Sequence, residues 1–534
     1  MRYWFWFCRL IEQPTPPRAT LYDRHVLTMP SATESSRPSL SSSVLTGASW
    51  IALSRIAAQA LSLVSVTVVA RALSPEAYGL VGMAQLVIGF VSLFQDLGTS
   101  SAVVQRREVD QRFLSTIWWL NLALSTLLAG ICWVLSPLAA DFYHEPAVQK
   151  VLRILGLGFI LAAGSTVQAA LLSRSLQFRS LAIRDIISSA TGLVVAIIMA
   201  YSGAGVWALV GASLSTTAVS TVLVMILARW APSFSFSWPD IRSIARFGAN
   251  LSAFNLINYF ARNADNALVG RYLGAGPLGY YQLAYRMMLY PVENISQTLG
   301  RALFPAFTKM QDDYARFRVA YLRACAAIAF LTFPLMIGAL ILADELVRVL
   351  LGPKWVPTIP VFQILALVGM VQSISTTVGQ IYIATGRTDL MLRWGTLFVS
   401  LIVVGFAVGL PWGIQGVAIA YAIVIAAIVI PVFWAAFRII DLPLLDLWRA
   451  LWPGLKCTLI MAVVVLTLHQ ALARTAPHWP IIRLAACSLV GAVVYLYLMF
   501  RMRSPVLGDV IQLTRRTISE WRTSKVVLPE TCSE

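Results

Sequence analysis

Charge is scarce in this chain, and acidic charge is scarcest. Only 12% of the 534 residues are charged, with 41 Lys or Arg against 24 Asp or Glu; a soluble domain carries about 25%. The four histidines form no cluster, so no metal-ligand set emerges. The six cysteines (Cys8, Cys132, Cys325, Cys457, Cys487, Cys532) stand apart without a CxxC pair, which excludes a zinc ribbon and a disulfide framework. P-loop, HExxH and GxSxG patterns are missing, and no loop is long enough to hold a catalytic carboxylate pair outside an apolar stretch. No cofactor is expected and the chain reads as a non-enzyme. With no nucleotide-binding domain, any transport must draw on an ion gradient or on the substrate's own gradient.

Apolar residues dominate instead. They make up 58% of the chain, and mean hydropathy is +0.75. From residue 44 onward apolar segments of about 20 residues, the length of a membrane-crossing helix, succeed one another from 45–70 to 480–500. The reading is an all-α polytopic membrane protein of about 14 transmembrane helices. Residues 1–43, rich in Ser and Pro, form a disordered cytoplasmic tail, and Met29 is a candidate natural start that would leave 1–28 untranslated. Residues 44–230 hold helices one to six, 231–440 helices seven to twelve, 441–500 helices thirteen and fourteen, and 501–534 a basic tail.

The net charge of +17 invites a nucleic-acid reading, but its distribution argues against one. Arg106, Arg107, Arg112, Arg174, Arg179, Arg184, Lys309, Arg316, Arg318 and the arginines after 500 all fall on one side of the alternating loops. The loops at 202–205 and 411–415, on the other side, have no basic residue. This asymmetry places both termini in the cytoplasm and directs the basic residues to anionic membrane lipid, with no nucleic acid required.

An internal repeat organises the chain. VARALSPEAYGLVGMA at 69–84 aligns with VGRYLGAGPLGYYQLA at 269–284, an offset of 200, with Val69/Val269, Arg71/Arg271, Leu73/Leu273, Gly79/Gly279 and Ala84/Ala284 identical. Each copy lies at the turn after the first helix of a set of six. The repeat implies two six-helix lobes of parallel topology, with two C-terminal helices added.

Charges within apolar segments concentrate in 244–306. A charge at membrane depth costs about 2.5–3.5 kcal/mol on insertion scales and so faces a partner or a wet cavity. Arg286, Tyr290, Glu293, Gln297 and Arg301 recur in steps of four, three, four and four, one stripe of an α-helix. Asn255, Asn258, Arg262, Asp265 and Asn266 form a second polar face on the preceding helix. At the repeat offset these charges meet Ser62, Ser65, Leu86, Leu93 and Ser101, so the fold does not require them. The candidate cavity residues are Arg262, Arg286, Arg301, Arg55, Asn258, Tyr290 and Gln297; Asp265 and Glu293 are candidates for ion coupling or for pairing with the arginines. Competing readings are an Arg262–Asp265 pair on one helix and snorkelling of Arg301 and Arg55 to the interface. Arg71 and Arg271 are read as caps on C-terminal carbonyls, Pro291 as a kink, and the pairs Tyr280–Tyr281 and Trp118–Trp119 as interfacial belt residues.

The stretch YFARNADNALVGRYLGAGPLGYYQLAYRMMLYPVENISQTLGRALFPAF, together with VVARALSPEAYGLVGMAQ and DLGTSSAVVQ, resembles the polysaccharide exporter branch of the multidrug/oligosaccharidyl-lipid/polysaccharide superfamily, which includes Wzx-type flippases. The resemblance covers most of 44–500. It implies a two-lobed bundle of the bacterial inner membrane that carries an undecaprenyl-diphosphate-linked oligosaccharide by alternating access, for O-antigen, capsule or exopolysaccharide. It implies a cationic cavity, proton or sodium coupling, and glycosyltransferase and polymerase partners. The alternatives are an ion-coupled multidrug antiporter of the same fold, which would favour an acidic, aromatic cavity, and a non-transporting membrane component of polysaccharide synthesis.

Overall fold

A computed structural model describes residues 40–95, 99–106, 109–237, 259, 262–310, 313–475 and 479–502. Among them there is helix and turn and no strand. The first half comprises α1 (Leu40–Ala72), α2 (Pro75–Ser92), α3 (Thr99–Gln105), α4 (Gln111–Tyr143), α5 (Pro146–Ala163), α6 (Thr166–Arg174), α7 (Phe178–Tyr201) and α8 (Val206–Ala228). The second half begins with α9 (262–273), then α10 (Ala275–Pro291), a π-helical turn (Val292–Ser296), α11 (Gln297–Lys309) and α12 (Tyr314–Ile341). It continues with α13 (Ala343–Leu350), α14 (Thr358–Ser375), α15 (Val378–Ala384), α16 (Thr388–Gly409) and α17 (Gly413–Phe437). A hairpin of α18 (Leu444–Thr475) and α19 (Pro480–Arg501) completes the described chain.

The two halves share their irregularities as well as their helices. The third long helix of each is capped by an aspartate: Asp110 accepts from the Phe113 amide at 3.1 Å and Asp313 from the Arg316 amide at 3.1 Å, each satisfying a donor the helix cannot. Both of these helices contain a proline, Pro137 in α4 and Pro334 in α12. The second helix of each half is interrupted, by the gap between α2 and α3 and by the π-helical turn after Pro291. The fourth is interrupted as well, between α5 and α6 and between α14 and α15.

Nine helical stretches among the described residues are long and apolar enough to cross a membrane, by length and composition. One of them, Thr388–Phe437, joins α16 and α17. The number fourteen is therefore not reached by this measure, in part because the interruptions shorten the second helices. Large apolar side chains stay exposed on the outer faces, including Val134, Ile198, Ile430 and Leu489, as a lipid-contacting bundle requires.

The halves meet where α2 crosses α10. A Cβ on Gly79 would overlap the Ala275 carbonyl, and one on Gly279 would overlap the Pro75 carbonyl. The two contacts are reciprocal across the repeat offset, so the pseudo-twofold axis passes between these helices. In lipid, where apolar burial gives helices little drive to associate, such backbone approach and hydrogen bonds between helices supply the contact. Met83, Ala84, Leu278 and Tyr281 are fully buried around the crossing.

Candidate functional site between the two halves

Beyond the glycine crossing, α1 and the α10–π-turn segment carry polar side chains that bond to each other across the halves. Arg286 Nη2 donates to Ser62 Oγ at 3.2 Å. Gln59 Nε2 donates to Asn294 Oδ1 at 2.7 Å, and Asn294 Nδ2 donates to the Tyr290 carbonyl at 2.8 Å. The mirror contact runs the other way: Tyr259, at the repeat position of Gln59, donates its hydroxyl to the Leu86 carbonyl at 2.5 Å. Arg286, Glu293 and Asn294 are exposed, and Tyr290 and Gln297 are half-buried. Glu293 makes no ion pair among the described residues. Asn258 lies outside the described residues, as do Asn255, residues 1–39 and residues 503–534, and so do the side chains of Arg55 and Arg301.

The helical stripe is not continuous. Pro291 has no amide hydrogen and crowds the carbonyl four residues back, and the backbone answers with the π-helical turn at Val292–Ser296. Such a turn adds a residue and shifts the phase of the helix beyond it. Glu293 and Asn294 are consequently exposed side by side, and α11 leaves on a different register from α10.

The second polar face also divides. Arg262 is exposed, while Asp265 is 2% exposed and turned into the second half. Asp265 Oδ2 accepts from the Tyr281 hydroxyl at 3.1 Å, and Oδ1 accepts from the Asn266 amide at 2.8 Å. Tyr281 stacks on Tyr285 at 6.0 Å. No Arg262–Asp265 ion pair forms among the described residues. Tyr281 is thus a buried partner of a carboxylate and not a belt residue; adjacency to Tyr280 in sequence hid the fact that the two point to different sides of α10.

At the far end of α1 the halves are bolted together. Arg71 donates to the Val349 carbonyl in the last turn of α13, so it caps a helix of the opposite half and not its own. Trp355 is fully buried and donates its indole N–H to the Ala70 carbonyl at 2.8 Å. Its ring meets Tyr78 at 5.2 Å and Tyr280 at 5.9 Å, both edge-on. Lys354 Nζ reaches the Arg71 carbonyl at 3.4 Å. Arg271, the repeat partner of Arg71, crosses the other way to His144. Sequence reading missed Trp355 and Lys354, and only the proximity of a WVP run to a turn could have suggested them. The hydrogen bonds that join α1 to α10, the π-helical turn, α13 and the chain after it run from this closure to the level of Asn294.

Three comparisons bear on what this gap does. A family model described as "Polysaccharide biosynthesis protein" matches residues 68–360, more than half of the chain. The chain is 28% identical to the lipopolysaccharide biosynthesis protein WzxC of Escherichia coli (strain K12), over 82% of this chain and 90% of that one. It is 27% identical to the succinoglycan biosynthesis transport protein ExoT of Rhizobium meliloti (strain 1021), over 87% of this chain and 94% of that one. Among solved structures, the lipid II flippase MurJ superposes with a TM-score of 0.67 at 17% identity, over 88% of this chain and 100% of the other; at that identity the likeness is one of fold.

Proposed function

The chain belongs to the polysaccharide biosynthesis protein family, and on that footing we propose that it carries a lipid-linked oligosaccharide across the bacterial cytoplasmic membrane by alternating access. The observation that carries the proposal is Arg286, an exposed cation inside an apolar helix that bridges the gap between the halves. A polyprenyl diphosphate presents its charge at the membrane's polar boundary and must pass it through the bilayer. Guanidinium groups suit that task, because they stay charged and hold phosphate oxygens through paired N–H donors. Arg262 and Arg286 would share the diphosphate, with Tyr290, Asn294 and Gln297 addressing the first sugars; Arg301, Arg55 and Asn258 are further candidates on the sequence alone.

The loop charges orient the protein with both termini in the cytoplasm. With the closure at Arg71 and Trp355 on the opposite face, the described state receives substrate from the cytoplasmic side, where glycosyltransferases build it; a polymerase would take it on the other. Asp265 is the candidate for ion coupling, since a carboxylate enclosed by tyrosines can gain or lose a proton or a sodium ion as the halves rearrange. Glu293, exposed near Arg286, is the candidate charge partner within the gap. The test is replacement of Arg262 and Arg286 by Ala, measuring surface polymer and the lipid-linked precursor on each membrane face at matched protein level. Precursor retained on the cytoplasmic face with loss of polymer supports the proposal; normal export in both variants refutes it.

A further inference from the structure

A second cluster of charge lies away from the gap. Glu345, in the first turn of α13, is 1% exposed. One carboxylate oxygen, Oε1, is bonded by His469 Nε2 of α18 at 2.8 Å and approached by Arg483 Nη2 of α19 at 3.4 Å. The other oxygen and Arg483 Nε are buried without a partner, so the grip is concentrated on a single atom. One helical turn further on, the carbonyl of Val349 receives Arg71 from the first half. The chain then turns at Gly352, whose φ of +95° only glycine adopts readily, and delivers Lys354 and Trp355 to the backbone of residues 70 and 71. The packing repeats this division. Leu342 belongs to the core of the α18–α19 hairpin, Ala343 and Val347 to the core around the crossing, and Leu346 packs against both.

We infer that α13 is a lever joining the C-terminal hairpin to the closure between the halves, with Glu345, His469 and Arg483 as positioning residues for that closure. Its two attachment points are four residues apart on one short rigid helix, about 6 Å along the axis. A displacement of the hairpin therefore cannot be absorbed before it reaches Val349 and Trp355. Release of Glu345 loosens the Arg71 and Trp355 contacts, and release of those contacts loosens the hairpin, because coupling between two sites is reciprocal. This inference deepens the transport reading and rests on it only for its consequence, that hairpin position biases which face is open.

Hydrogen exchange on the full-length protein in lipid nanodiscs tests the lever without substrate, so its outcome is independent of what is transported. Glu345→Ala is expected to speed exchange at residues 69–75, which do not touch Glu345, by roughly tenfold. His469→Ala, which removes one of two grips, gives a smaller change in the same peptides. Arg71→Ala speeds exchange at 465–473 and 480–487. Leu489→Ala, on the exposed face of α19, leaves all of these at the wild-type rate. If Glu345→Ala does not accumulate, His469→Ala and Arg71→Ala carry the same test. Faster exchange confined to α13 and the hairpin, with residues 69–75 unchanged, would reduce the cluster to a local brace and overturn the inference.

Discussion

The two halves of this protein share the order of their long helices, the breaks in the second and fourth of them and the aspartate cap of the third, yet differ at positions where only the second carries charge. Ser62 stands opposite Arg262 in the repeat, Ser65 opposite Asp265, Leu86 opposite Arg286 and Leu93 opposite Glu293. The first half shows what the fold needs: small or apolar side chains and a few hydroxyls. The second half shows what has been added. Because the first half keeps the shared long-helix order without these charges, the fold does not require them. The two added charges nearest in sequence also took different paths. Arg262 stays exposed, whereas Asp265 went into the protein and found a tyrosine hydroxyl.

The pairing of the halves is most vulnerable at its axis. Gly79→Leu or Gly279→Leu places a side chain against backbone that cannot swing aside. Overpacking typically costs about 1–3 kcal/mol and occasionally more, and the upper end is expected here, with little folded protein recovered by detergent-stable yield. The two variants should be equally harmful, since the contacts are reciprocal. The next effect is on function. Arg286→Ala should lower polymer export at least about tenfold at normal protein level, while Arg286→Lys retains part of it, because lysine keeps the charge but not the fork of donors. The exchange Ser62→Arg with Arg262→Ser sharpens the comparison: if the gap needs a cation at that level and not at one address, export recovers relative to Arg262→Ser alone, as quantified by surface polymer.

Smaller still is Tyr281→Phe. It removes the side-chain donor to a buried carboxylate, a loss of about 1.5–3 kcal/mol for a hydrogen bond to a charged group, and should lower the thermal midpoint while leaving Arg286-dependent export in place. The smallest expected effect separates the two closing arginines. Arg71→Ala should favour the opposite-facing state more than Arg271→Ala, since Arg71 works beside Lys354 and Trp355. Labelling of a cysteine placed at Tyr78 would report it.

Much of this architecture is legible in the sequence, because periodicity and repeats are local and numerical. Membrane-length apolar runs, the 200-residue offset and the charged stripe all come from counting along the chain. Sequence reasoning fails where a distant residue or a backbone irregularity decides. The stripe assumes an unbroken α-helix, and Pro291 is legible as a kink, but a kink and a π-helical turn shift the register differently. Arg71 reads as a cap on its own helix, and nothing local distinguishes that from a cap on the other half. Tyr281 looks interfacial because aromatic pairs near a helix start commonly are; its partner Asp265 is 16 residues earlier. Glu345, His469 and Arg483 are separated by more than a hundred residues at one step, and no spacing rule joins them.

The glycine crossing has one further consequence, for how such a chain can change over time. Two separate codons now maintain a single contact, because each glycine makes room for the backbone opposite the other. A duplicated sequence is free to diverge nearly everywhere, and the charged gap shows how far it has gone. At the axis it has no such freedom: either copy can break the contact, and neither can repair a loss in the other. The place where the halves are most alike is therefore also where the protein has the least redundancy.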